Sequence, residues 1–541
     1  MNALKTVAAL GVLGSLLAPL GACGSSDDSA ASGAPSDGGG GGFPGTGGSG
    51  AASGGSTMSD SGPPPPPPEQ EVESSFRAPV TTGRYVWSAN PDSGRVALID
   101  AVTLELTIAE AGFGPTYLAA LSPADDDDSD AAIVLNVLSH DATVFRRKAG
   151  GGLDTLTLPT HQGANSWAVS HDGSWAIAWT DAARIEKPDP TDGFQDVTVL
   201  SLTPGKESST RLSVGYRPTS VVIAQDAKRA FAITEPGISV IALSAAPSVT
   251  ALFEVTDDPL ADPASRDVSV TPDGALALVR RDGSSAVGFV DLETGARTER
   301  PLGGPITDLD LHPDGKIALA VVREKSELWV LPIPEAQTDP SAGDMLAIPT
   351  ETFGSVSASE DGSTALLFTN ATPNDRLSIV DLRAGADYLT HRTVSIKSPV
   401  LAVFPAADGQ HALALGTVPQ SSTKQGAFSV IPTTKLLSPK VVGTDAPPVA
   451  VALSPAPTTR GLIAIRDEQK KKYGVYVARM PSLQVDLIPL ASPPLSTGML
   501  PQAKRGYVAQ KHPEGRITFI DLEDGSARTL TGFELGAKVV D

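Results

Sequence analysis

An alternating apolar strand of the form Val-x-Val-Ile-Asp returns ten times along this 541-residue chain. Its copies end at Asp100, Arg146, Ser201, Ala242, Asp291, Leu331, Asp381, Pro432, Arg479 and Asp521. From Asp100 to Asp521 is 421 residues in nine steps, a mean spacing of about 47. A second feature keeps the same register, an apolar strand running into a Pro-Asp-Gly-like turn. In its clearest copies the turn aspartates Asp226, Asp273, Asp314, Asp361 and Asp408 are separated by 47, 41, 47 and 47 residues. Asp-Gly after an alternating strand signals a hairpin, because Gly accepts the positive φ of a tight turn. A period of about 40–50 residues with room for four strands is the signature of blades arranged around a ring.

Length and composition agree with such repeats. A single core rarely grows past about 250–300 residues. Aromatic residues make up only 5%, while 53 Gly and 46 Pro favour short strands and turns over long helices. The expected fold is all-β, a β-propeller of four-stranded blades, with about ten repeats. Ten exceeds the usual four to eight blades, so one large ring stands beside a smaller ring with extra repeats, or two rings. In one unit the strands fall at Arg266 to Pro272, Ala275 to Arg281, Ala286 to Leu292 and Arg297 to Leu302. This phasing starts the domain on a second strand near Arg84 and ends it on a first strand, Leu535 to Asp541. N-terminal and C-terminal strands are therefore expected to complete one blade and close the ring, removing open sheet edges.

The stretch Tyr85 to Pro123, "YVWSANPDSGRVALIDAVTLELTIAEAGFGPTYLAALSP", resembles the YVTN-type propeller repeat. The likeness extends over most of the chain from residue 85 and is degenerate, with Arg146, Ser201, Leu331 and Pro432 in place of the strand-end Asp. It implies the blade and no particular activity: proteins with such repeats include surface-layer and envelope proteins, some lactonases and some dehydrogenases.

The first residues, "MNALKTVAALGVLGSLLAPLGAC", carry one positive charge at Lys5 and a short apolar run interrupted by Gly and Pro. That run has the length of an export signal and is too broken for a stable membrane span. Leu20-Gly21-Ala22-Cys23 resembles the bacterial lipobox, and Cys23 is the only cysteine. The resemblance implies a signal peptide over 1–22, acylation of Cys23, and anchoring in the membrane through its lipid. Gly24 rather than Asp follows the cysteine, which points to the outer membrane of a diderm envelope. Residues 23–75 are Gly-, Ser- and Pro-rich with almost nothing apolar to bury, the composition of a disordered tether. Its flexible-coil reach is on the order of 40 Å, and Pro63 to Pro68 add a polyproline stretch of about 19 Å. The propeller domain is expected over 76–541.

Signals for chemistry are sparse. A net charge of -21 with no clustered basic face disfavours nucleic acid. The folded part has no G-x-S-x-G, phosphate-loop or H-E-x-x-H motif, and the seven histidines never take metal-ligand spacing. No catalytic residue, metal ligand or cofactor is assigned. Asp125 to Asp128 form an acidic run read as a solvated loop rather than a Ca²⁺ site, since the Gly-spaced EF-hand pattern is missing. The strand-end aspartates Asp100, Asp291, Asp381 and Asp521 recur once per blade, which argues for turn hydrogen bonds rather than catalysis. Long loops on a rigid scaffold carry function, and the longest here is Asp181 to Asp196. Trp179, Arg184, Glu186 and Lys187 of that region, with Tyr473, are the expected binding surface.

The sequence therefore reads as a lipid-anchored envelope propeller, monomeric, presenting loops to an envelope protein or glycan. The alternative is a propeller hydrolase or lactonase-like enzyme with a metal and carboxylates at the channel mouth.

Overall fold

A computed structural model describes residues 79–533, apart from 122–129, 149, 186, 188–193, 258–261, 263–264, 419–421, 435 and 456–458. Forty strands assemble into ten four-stranded antiparallel sheets. In chain order the sheets span 80–110, 115–159, 166–213, 220–253, 266–301, 308–347, 355–395, 400–444, 448–489 and 494–531, here blades 1 to 10. Strands follow one another within each blade as a meander, and the expected repeat unit is realised at Arg266–Val270, Leu276–Arg281, Ala286–Asp291 and Arg297–Pro301. Among the described residues no helix is long and apolar enough to cross a membrane.

Burial follows strand position. The third strand of blade 8, Gly426–Pro432, is buried throughout, whereas the fourth strand of blade 1, Leu106–Glu110, is exposed at both ends. Each blade therefore has two apolar faces that must be covered by its neighbours. One apolar cluster forms at every junction. Phe145 and Trp87 join blades 1 and 2, Phe231 and Val279 join blades 4 and 5, and Phe428 and Ile463 join blades 8 and 9. The series closes where Ile99 of blade 1 packs with Phe519 of blade 10. The result is a single ring of ten blades.

Closure differs from the expectation in one respect. The innermost strand of blade 1 is Val80–Thr82, paired with Tyr85–Asn90 through Val80↔Trp87 and Thr82↔Tyr85. Blade 1 is thus built from its own segment, and residues 535–541 lie outside the described residues. The first and last blades meet through packing and hydrogen bonds, including Tyr507 Oη to the carbonyl of Pro79 at 3.2 Å.

The recurrent aspartates are structural. Asp172, Asp226, Asp273, Asp314, Asp361 and Asp408 each accept the backbone N–H two residues on, at 2.9–3.0 Å. A hydroxyl two residues earlier adds a 2.6 Å bond at Ser170, Thr271 and Ser359. Asp100, Asp291, Asp381 and Asp521 likewise receive the N–H two residues on, at 2.8–3.0 Å, fixing their own turns. The glycine of the first turn has a second duty. A Cβ on Gly173 would lie 2.0 Å from the carbonyl oxygen of Leu121 in the preceding blade, and one on Gly409 2.0 Å from Ser363 Oγ. Adjacent turns approach so closely that only a hydrogen fits there.

Candidate functional site

In each blade the first strand runs down the channel wall and the second returns. The loops after the second and fourth strands therefore share one face of the ring, the face at which the chain enters through Pro79. Blade 3 carries the longest of these loops, and its second strand ends on Trp179. Trp179 is only 7% exposed and packs with Val197, Val214, Val221 and Ile241 across the junction with blade 4. It belongs to the core and not to the binding surface expected for it. Its indole N–H is buried without a hydrogen-bond partner.

Arg184 does sit on the open face. Its Nε lies 3.3 Å from Asp181 Oδ2, its Nη1 donates to the Asn165 carbonyl at 3.2 Å, and its guanidinium lies 5.9 Å from the Tyr117 ring. Asn165 returns two bonds, Nδ2 to the Asp181 carbonyl at 2.9 Å and Oδ1 from the Asp181 N–H at 2.7 Å. The start of the long loop is thereby latched to the channel wall. Trp167 completes this wall, its indole N–H donating to the Tyr117 carbonyl at 3.0 Å. Tyr117 and Trp167 are half-buried residues on the innermost strands of blades 2 and 3, and the sequence reading missed both. The available signal was two aromatics at matching positions of innermost strands in a chain with few aromatics. Lys187 is exposed, and Glu186 falls outside the described residues.

The next junction continues the aromatic and cationic theme. Arg217 sits between Phe194 and Tyr216, 5.7 and 5.2 Å from their ring centres, and pairs with Glu235 at 3.3 Å. Tyr473 is half-buried on blade 9, several blades away around the ring. It cannot join blade 3 in one compact site. Beneath the blade 3 loop, His161 is buried between two hydroxyls, Nδ1 2.8 Å from Thr198 Oγ1 and Nε2 3.2 Å from Thr180 Oγ1. Burial pulls its pKa down to about 4.

A second polar cluster lies on the channel wall of blades 6 and 7. Asp308 Oδ2 accepts the Val356 N–H at 2.7 Å and Thr307 Oγ1 donates to the Gly354 carbonyl at 2.8 Å. Asp310 accepts the Ala358 N–H, and burial raises its pKa. Two carboxylates thus cap the open edge of the next innermost strand. His312 follows, its Nδ1 2.8 Å from Asp314 Oδ1 and its Nε2 buried without a partner. Burial, and then Asp361 beside it, raise the Glu360 pKa. Among the described residues no three His, Cys, Asp or Glu side chains are grouped closely enough to hold a metal ion.

No family model matches the chain, and no curated protein matches it. Several solved structures are similar to it. Apo AztD from Citrobacter koseri is 14% identical, over 77% of this chain and 97% of that one, with a TM-score of 0.38. Hydrazine synthase from Kuenenia stuttgartiensis is 17% identical, over 58% and 95%, with a TM-score of 0.33. Dihydro-heme d1 dehydrogenase NirN in complex with DHE is 13% identical, over 69% and 78%, with a TM-score of 0.41. The strand pairing of this chain, independent of these resemblances, defines the propeller.

Proposed function

We propose that this chain is a lipid-anchored envelope propeller of the YVTN-repeat type that acts as a binding scaffold. Acylated Cys23 holds it in the membrane, by the sorting rule the outer membrane, and the ring presents its loop-bearing face to an envelope protein or glycan. The observation that carries the reading is the latched loop of blade 3. Arg184 and the half-buried Tyr117 and Trp167 converge there on a wall fixed by hydrogen bonds, with Lys187 exposed three residues further along the loop. Planar aromatic and guanidinium groups on a rigid support are the residue types that recognise sugars and polar protein surfaces.

The test is affinity capture from cross-linked envelopes by the tagged full-length chain, compared with a variant carrying Arg184→Ala and Lys187→Ala. A partner retained by the parent and lost by the variant supports the scaffold at this face. Retention of nothing by either, or equal retention by both, overturns it.

A hydrolase or lactonase-like enzyme is the second reading, favoured by Asp310 on the innermost strand of blade 6, with His312 and Glu360 in the turns that follow the innermost strands of blades 6 and 7. It predicts ester or lactone hydrolysis that Asp310→Asn abolishes. Undiminished hydrolysis in that variant removes these residues from any such chemistry.

A further inference from the structure

One imidazole ties together the two roots of the blade 3 loop. Thr180 directly follows the second strand, Trp175–Trp179, and Thr198 lies on the third, Asp196–Ser201. His161, on the segment entering blade 3, stands between them. Its backbone N–H donates to Thr198 Oγ1 at 3.0 Å, its Nδ1 lies 2.8 Å from the same oxygen, and its Nε2 lies 3.2 Å from Thr180 Oγ1. All three residues are buried.

Other blades make the same join without a titratable group. The strand register places Thr143 of blade 2, Thr198 of blade 3 and Thr518 of blade 10 alike, opposite Val134, Ala178 and Val508. Two residues past these, blades 2 and 10 carry Asn136 and Gln510, whose carboxamides donate to the threonine directly at 2.9 and 2.7 Å. Blade 3 has Thr180 there, whose hydroxyl does not reach Thr198, and His161 fills the gap. In blade 4 the matching Ser239 receives its N–H from Gly215 at 3.0 Å, a residue with no side chain. A join that needed only to hold would be served by a carboxamide.

A proton changes what the imidazole can do. The neutral ring offers one donor and one acceptor, so one of the two threonine hydroxyls donates to it. The imidazolium has no acceptor, and that hydroxyl must turn its hydrogen away. Beyond His161, neither Thr180 nor Thr198 has a hydrogen-bond partner among the described residues. The charged and titratable groups on the surrounding elements give the proton little support. Asp196 is paired with Arg211, and Asp181 with Arg184 at 3.3 Å. Blade 2 adds His140, whose carbonyl accepts the Thr160 N–H at 3.0 Å. A buried cation with its nearby carboxylates already engaged is costly.

We infer that His161 is the pin of an acid-released latch: protonated, it lets go of Thr180 and frees the turn Asp181–Arg184 from the channel wall. Asp181 follows Thr180 and exchanges two bonds with Asn165, four residues beyond His161 on its own segment, so both sides of that pairing hang on the imidazole. Latched, the ring takes a proton only near pH 4, and in water near 6.5. The released form therefore gains up to about tenfold per pH unit as pH falls between those limits. The consequence for binding rests on the reading above: the Arg184 face is assembled at neutral pH and dismantled in acid.

The test is hydrogen exchange of the full-length chain between pH 6.5 and 4.5, corrected for the intrinsic pH dependence, in the parent and in His161→Gln. In the parent, opening at the Asp181, Ala183 and Arg184 amides should rise by up to about a hundredfold over those two units, while the matching tip of blade 4, Thr234–Gly237, stays level. His161→Gln should abolish the rise and His140→Gln should leave it. The same rise in His161→Gln, or a rise shared equally by all blades, overturns the inference. If His161→Gln fails to fold, the parent still decides, since no rise confined to blade 3 overturns the latch as well. No partner is present in this experiment, so failure to capture one counts against the scaffold alone.

Discussion

Arg505, which opens the second strand of blade 10, donates to the carbonyls of Ala101 and, at 3.3 Å, Val102 in blade 1. Arg460 makes the equivalent bond from blade 9 to Leu522 of blade 10 at 3.0 Å, and Arg229 from blade 4 to Leu292 of blade 5 at 3.4 Å. In each case the acceptor is the carbonyl of the residue just after a strand-end aspartate. The junction that closes the ring therefore uses the same bond as those between blades 9 and 10 and blades 4 and 5. Arg505→Ala should lower unfolding stability by about 1 kcal/mol, discounting a charge-assisted bond for partial exposure, and Arg460→Ala by a similar amount. Denaturant titration measures both, and a closing junction unaffected by Arg505→Ala would place closure elsewhere.

Gly173→Ala should be far more costly than its conformation alone implies. Left-handed backbone costs a non-glycine residue about 1–2 kcal/mol. At Gly173 the new methyl also meets the Leu121 carbonyl, for a combined loss of about 3 kcal/mol or more. Gly283 has φ +74° but nothing within 4 Å of its Cβ position. Gly283→Ala should thus show the conformational cost alone, about 1 kcal/mol, and the difference in midpoints reports the turn-to-turn contact.

Blade 4 supplies the converse. Ala227 occupies the glycine place of its turn with φ +54°. Ala227→Gly should raise stability by about 0.5–1 kcal/mol, the relief of strain exceeding the added freedom of the unfolded chain. A lower thermal midpoint in this variant would contradict that balance.

His161 gives the ring an acid-sensitive element. In the folded protein the ring takes a proton only near pH 4, and in the unfolded chain near 6.5. On acidification the unfolded state binds the proton first. The stability held above pH 6.5 is therefore lost as pH falls toward 4, by about 3 kcal/mol in all. Replacing His161 by Gln should flatten the stability profile between those limits, as followed by urea midpoints across the range.

Cys23→Ser should move the protein from the membrane fraction to the soluble fraction after export, since each buried CH₂ of an acyl chain contributes about 0.8 kcal/mol to anchoring. Continued sedimentation with membranes in the variant would remove the lipid anchor.

Much of the fold was legible because the repeat is carried by hydrogen-bonding residues with fixed geometry. All ten Val-x-Val-Ile-Asp strands are third strands, and their aspartates and Asp-Gly turns do what a carboxylate and a glycine do best beside free N–H groups. The first strand of blade 1 was not legible. It is three residues, Val80–Thr82, too short to show alternation, and it turns through Gly83 without the Asp-Gly signature. The binding surface was legible only in part. Arg184 and Lys187 lie on the open face, but Trp179 ends its strand on the side turned toward blade 4. Tyr473 shows what spacing hides: similar loops on one face are carried apart by the circumference of the ring. Tyr117 and Trp167 meet across a junction 50 residues apart, a relation fixed by ring order and invisible to local pattern.

Because Val80–Thr82 completes four strands of blade 1 from its own stretch, each blade among the described residues is built from one continuous stretch of chain. Duplication of a single unit in the gene would thus insert a whole blade, with its strand-end aspartate turn and apolar faces ready for two new neighbours.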